Sequence, residues 1–111
     1  MMKVYPLIKS KDDQAALWAG LLDGTLDFVA SDHAPHRIEE KRGSLFKMPS
    51  GMCGVETMLP LMLDAVSRGK ITLPFVARVL SQRPAEIYGI ERKGKLEIGF
   101  DADLVLVDMQ K

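Results

Sequence analysis

Asp32-His33-Ala34-Pro35-His36 is the densest polar cluster in this chain of 111 residues. A carboxylate in such a cluster can bind a metal ion or act as a general base. Imidazoles one and four residues further on can add a ligand or a contact to an anionic substrate. A catalytic zinc usually takes three protein ligands, so one carboxylate and one imidazole fall short of a complete site. The same five residues also make sense as a plain loop, with Asp32 capping a turn and both rings in solvent. Cys53 is the single cysteine, so it forms no internal disulfide, and with the two histidines it cannot build a Cys/His zinc site.

The elements around the cluster suggest how it is positioned. Leu26-Asp27-Phe28-Val29-Ala30-Ser31 is nearly continuous in apolar character, like a parallel strand covered on both faces. It runs directly into Asp32, and the carboxyl ends of parallel strands are where α/β folds place their chemistry. Upstream, Val4 to Lys9 is expected to be extended. Ser10 offers an N-cap, and Ala15, Ala16, Leu17, Trp18, Leu21 and Leu22 share one face, which predicts a helix over Lys11–Asp23 stopped by Gly24. Arg37 to Gly51, about fifteen residues with no regular pattern, is long for a connection in a compact domain, and such loops are often functional.

Downstream, Gly54 to Ser67 carries a helical apolar face, with Pro60 expected to distort its early part. Thr72 is expected to cap a helix from Leu73 to Ser81, with Pro74 in the first turn. A separate short helix is expected from Pro84 to Tyr88, closed by Gly89. Gly94 to Ile98 and Asp103 to Asp108 read as two strands around a turn at Gly99-Phe100-Asp101. Only one strand is of the buried parallel type, and the chain offers no convincing parallel neighbour for it. The pattern is that of a piece of a larger α/β protein.

Composition excludes several classes. Fifteen Lys and Arg balance fifteen Asp and Glu, so no basic face is expected for nucleic acid and none for anionic membranes. No apolar run approaches the ~20 residues of a membrane-spanning helix. Met1-Met2-Lys3-Val4-Tyr5-Pro6 carries no apolar leader core. A reducing, cytoplasmic setting is expected.

Taken together, Ser31 to His36, Glu39-Glu40-Lys41, Pro49-Ser50-Gly51 and Gly54-Val55-Glu56-Thr57-Met58-Leu59-Pro60-Leu61 closely resemble dihydroorotase. Pro84 to Gly89, Lys93-Gly94 and Gly99-Phe100-Asp101-Ala102-Asp103-Leu104-Val105 look like the close of a cyclic amidohydrolase. The S-D-H-A-P-H string favours dihydroorotase over hydantoinases, dihydropyrimidinases and allantoinases, which share the C-terminal pattern. The resemblance implies an α/β fold: the C-terminal fragment of a metal-dependent (β/α)8 TIM barrel plus strands of a small β-subdomain. Residues 1–93 would supply the last strand and helices of the barrel, and 94–111 the return strands of the subdomain.

By the same resemblance, Asp32 is a zinc ligand and the general base and acid. His36 contacts the substrate carboxylate, and Ser50 and Gly51 contact substrate through backbone groups. His33 receives no ligand role, and Glu56 is read as structural beside a helix start. Tyr5 departs from the Asn or Arg often found before the matching proline, so it is left out of the site. The remaining metal ligands of the family have no counterpart here, and a barrel needs about 250 residues. The chain alone is therefore expected to hold no zinc and to be inactive, with self-association or an upstream portion completing it. The substrate implied is a small molecule, dihydroorotate or N-carbamoyl-L-aspartate. The alternatives are a hydantoinase- or allantoinase-type enzyme and a non-catalytic dihydroorotase-like assembly protein.

Overall fold

The computed structural model describes residues 3–110; Met1 and Met2, the start of the segment without a leader core, and Lys111 lie outside the described residues. Helix α1 spans Lys11–Asp23, as its sequence signals require. Ser10 Oγ accepts the Asp13 N–H at 3.2 Å, while Asp13 Oδ2 accepts the Ser10 N–H at 3.0 Å, closing a capping box. The Ser10 bonds hold the Asp13 carboxyl below its ordinary pKa. Gly24 ends the helix in the left-handed conformation. Leu21 is buried and Trp18 packs beside the core, but Leu17 and Leu22 are exposed, so part of the apolar face has no cover.

Helix α2, Val55–Ser67, runs through Pro60 without a break. The proline removes one N–H in the second turn, while Met62 and Ala65 anchor the rest of the helix in the core. Thr72 caps α3 as expected, its Oγ1 accepting the Phe75 N–H at 3.3 Å, but α3 covers only Leu73–Ala77. Arg78–Gln82 is a π-helical turn that leads directly into α4, Arg83–Tyr88. The two helices expected to be separate therefore form one continuous run. Pro84 gives the physical reason: it has no N–H and its ring crowds the carbonyl four residues back. The wider turn ahead of it, with the Arg83 N–H reaching Arg78 O, accommodates the ring.

The expected strands are not formed among the described residues. Leu26 to Ser31 has no ladder. Instead the Leu26 N–H bonds Gly20 O at 2.8 Å and the Val29 N–H bonds Val79 O at 3.1 Å, which ties the segment to helices. Gly94 to Ile98 and Asp103 to Asp108 are likewise irregular. A strand is stabilised by neighbours on its edges, and an isolated pair is marginal in water; these segments find no such neighbours among the described residues. Ion pairs hold them in place. Arg83 pairs with Asp27 and, at 2.9 Å, with Glu86; Lys93 pairs with Asp103 and, at 3.0 Å, with Asp101.

The core is a single cluster of Leu21, Met62, Ala65, Ile71, Val76 and Val79, of which Val79 alone is fully enclosed. The radius of gyration is 16.6 Å, against about 13 Å for a compact chain of this length. The accessible surface is 8860 Å² for 12.3 kDa, against about 6,100 Å² for a folded monomer of that mass. Much of the excess is apolar: Phe46, Leu96, Ile98 and Leu106 are each at least 87% exposed. No helix among the described residues is long and apolar enough to cross a membrane.

Candidate functional site

Residues 31–36 and 50–55 lie side by side. A single parallel bridge joins His33 to Met52, and the Ala34 N–H donates to Met52 O at 2.9 Å. Two glycines permit this approach. A Cβ on Gly54 would stand 2.5 Å from Ser31 O. One on Gly51, whose φ is 126°, would stand 2.6 Å from Ala34 O and 3.3 Å from His36 Nε2. The loop that follows the expected strand is thereby seated against the start of α2.

Asp32 opens the cluster with φ 46°, a left-handed conformation that Asp tolerates better than most residues. It is exposed, and among the described residues its carboxylate makes no hydrogen bond or ion pair. His33 plays a structural part, because its Nδ1 accepts the Gly54 and Val55 N–H groups at 3.0 and 3.2 Å. This places the ring proton on Nε2 and satisfies two donors that the start of α2 leaves open.

His36 Nε2 donates to Ser50 O at 2.8 Å, and its Nδ1 lies 3.9 Å from Glu40 Oε2. The structure thus brings His36, Ser50 and Gly51 together. Asp32 stands four residues earlier on the same segment, with no hydrogen bond to any of the three. Glu56 lies in the first turn of α2, where an acidic side chain suits the helix dipole.

Sequence reasoning missed Lys41. Its Nζ donates to Gly51 O at 2.6 Å, to Pro49 O at 2.8 Å and to Lys3 O at 3.4 Å. Lys3 Nζ in turn donates to Met48 O at 2.8 Å. The Glu39-Glu40-Lys41 string was visible in the sequence, but a lysine in a charged run looks solvated, and nothing local names its partners.

The donors present do not by themselves complete a metal site. Among the described residues no three His, Cys, Asp or Glu side chains are grouped to hold one. Asp32 is a single carboxylate, and Nδ1 of His33 and Nε2 of His36 are engaged elsewhere. This donor set does not match a three-ligand zinc centre. A separate apolar cleft of about 690 Å³ between the helices and the C-terminal arm, lined by Leu59, Val76, Leu80 and Val105 among others, touches none of the expected site residues.

Residues 7–111 match the Amidohydrolase family. The chain is 46% identical to a dihydroorotase of Halobacterium salinarum over 96% of its own length and 25% of that protein. It is 48% identical to a dihydroorotase of Methanosarcina acetivorans, covering 96% and 23% respectively. It therefore spans about a quarter of the length of these relatives. Among solved structures, an L-hydantoinase from Arthrobacter aurescens superimposes with a TM-score of 0.82 at 35% identity, over 90% of this chain and 23% of that one. A D-hydantoinase from Thermus sp. gives 0.82 at 30% identity, with the same coverage.

Proposed function

Since the chain belongs to the amidohydrolase family, we propose that it is the C-terminal part of a dihydroorotase, interconverting L-dihydroorotate and N-carbamoyl-L-aspartate in pyrimidine biosynthesis. The observation that carries this reading is the seating of Asp32–His36 against Ser50–Gly51, in a chain 42–48% identical to dihydroorotases over nearly its whole length. In this reading residues 1–93 close a (β/α)8 barrel, residues 94–111 return to a small β-subdomain, and the enzyme works in the cytoplasm. Asp32 contributes one ligand to a zinc site completed by residues outside this chain.

The chemistry proposed for the chain's own residues is limited. Water adds to the ring amide carbon, Asp32 takes its proton at a carboxylate oxygen, and that proton passes to the nitrogen as the C–N bond breaks. His36 faces the substrate's carboxylate, and the Ser50–Gly51 backbone borders it. The hydantoinase-type alternative draws support from the structural likeness at 30–35% identity, which is lower than the identity to the dihydroorotases.

The test uses the longest natural protein that contains these residues, assayed on dihydroorotate and on hydantoins in parallel, with zinc content measured on the same samples. Turnover of dihydroorotate is expected; turnover of hydantoins alone would replace the reading with its rival. Asp32→Ala should lower turnover by at least the ~10²–10⁴-fold of acid–base catalysis. His36→Ala should spare zinc and weaken substrate use.

A further inference from the structure

Four consecutive carbonyls, those of Met48, Pro49, Ser50 and Gly51, each accept a side-chain hydrogen bond. The donors are Lys3 Nζ, Lys41 Nζ, His36 Nε2 and Lys41 Nζ again, at 2.8, 2.8, 2.8 and 2.6 Å. In a helix or sheet such carbonyls would be met by backbone N–H groups. This loop has no such ladder, so three side chains set its shape.

Lys41 takes two of the four. Its third contact, Lys3 O at 3.4 Å, is the carbonyl that also accepts the Gly51 N–H at 3.0 Å. An ammonium has three hydrogens, and here each has a carbonyl to point at. The residue is half-buried, and among the described residues it pairs with no carboxylate. An ordinary surface lysine meets acid or water; this one meets backbone. The Ser50 carbonyl, which holds the His36 ring, lies between the two carbonyls that Lys41 fixes.

We infer that Lys41 is a positioning residue: it fixes Pro49–Gly51, and through the Ser50 carbonyl it orients His36 toward the substrate's anionic group. The inference rests on the proposal that His36, Ser50 and Gly51 border the substrate. Asp32 makes no contact with Lys41, so the chemical step should be spared.

The experiment compares Lys41→Met, which removes the donors at similar length, with Lys41→Arg, which keeps them. Both are made in the longest natural protein containing the chain. Two readouts are taken: steady-state kinetics on dihydroorotate and amide hydrogen exchange at Gly51. Lys41→Met should raise KM about 10- to 100-fold with kcat within about threefold, and should speed Gly51 exchange at least about tenfold. Lys41→Arg should recover part of both. Unchanged KM and unchanged exchange would overturn the inference, as would a fall in kcat at constant KM. If the unmodified protein does not turn over dihydroorotate, the functional reading fails by itself, and the exchange comparison still decides whether Lys41 holds the loop. Should Lys41→Met lose its helical circular dichroism, Lys41→Gln is read in its place by the same criteria.

Discussion

Gly51→Ala is the substitution that most directly tests how the candidate site is built. Gly51 has φ 126°, and an added Cβ would stand 2.6 Å from Ala34 O and 2.7 Å from Ala34 Cβ. Both neighbours belong to a backbone that cannot swing aside, so residues 33–36 and 50–52 must separate. Separation breaks the 2.9 Å bond from the Ala34 N–H to Met52 O and the 2.8 Å bond from His36 to Ser50 O. Each such bond contributes about 0.5–1.5 kcal/mol, and the backbone conformation itself costs a non-glycine residue about 1–3 kcal/mol. The sum is about 2–6 kcal/mol, all of it local. Global unfolding would under-report it, because a loop can open without the helices.

The assay is therefore hydrogen exchange at the Ala34 amide, which should accelerate at least about 25-fold, since each ~1.4 kcal/mol is a factor of ten. Helical circular dichroism should stay unchanged. Gly43→Ala is the control: Gly43 has φ 99° but nothing within 4 Å of an added Cβ. It isolates backbone strain and should leave Ala34 exchange nearly as it was. If the two variants affect Ala34 alike, the close approach of the two segments is not what holds the site together.

Four further outcomes are expected. Glu86 is held at a pKa of about 2, below its ordinary 4.5, chiefly by the Gln82 side chain and then by Arg83. The stability contributed by its ionised form is fully present above pH 4.5 and lost as the pH falls toward 2; Glu86→Gln should flatten that part of a thermal-unfolding pH profile. Val79, the one fully enclosed side chain among the described residues, should cost about 2 kcal/mol on Val79→Ala in a urea titration. His33→Ala should loosen the start of α2, where Nδ1 accepts two N–H groups, by about 1 kcal/mol, seen as faster exchange at Gly54 and Val55. The 111-residue chain by itself should self-associate in sedimentation velocity; a monodisperse monomer at high concentration would contradict this.

What was legible in the sequence divides along a physical line. Helix α1 was readable to the residue because Ser10 and Gly24 are local signals that act through neighbours in sequence. The continuity from α3 to α4 was not, because Pro84 can be accommodated either by a break or by a wider turn, and packing around Val79 and Ala85 favours the second. His36, Ser50 and Gly51 could be named from their resemblance to a known pattern, but the contact between His36 and Ser50 spans 14 residues and no periodicity encodes it. Lys41 stayed hidden for the opposite reason: its partners are backbone carbonyls, which every residue has.

The strands mark the same division more sharply. Leu104-Val105-Leu106-Val107 has strong β preference, yet no ladder forms there, and Leu106 is 97% exposed. Strand preference is largely a preference for packing on a partnered surface, so without partners it has nothing to act on. The surface in excess of a folded monomer, about 2,800 Å², is more than three times the ~800 Å² that one partner buries in a standard interface. Part of that excess is apolar, and covering it would stabilise the chain. The candidate site shows the consequence. The half that pairs segments 31–36 and 50–55 is complete, because both segments belong to this chain. The half around Asp32 is open, its carboxylate exposed and without a partner among the described residues. Under the proposed function, contacts that enclose Asp32 would also give residues 26–31 the neighbours that a strand needs.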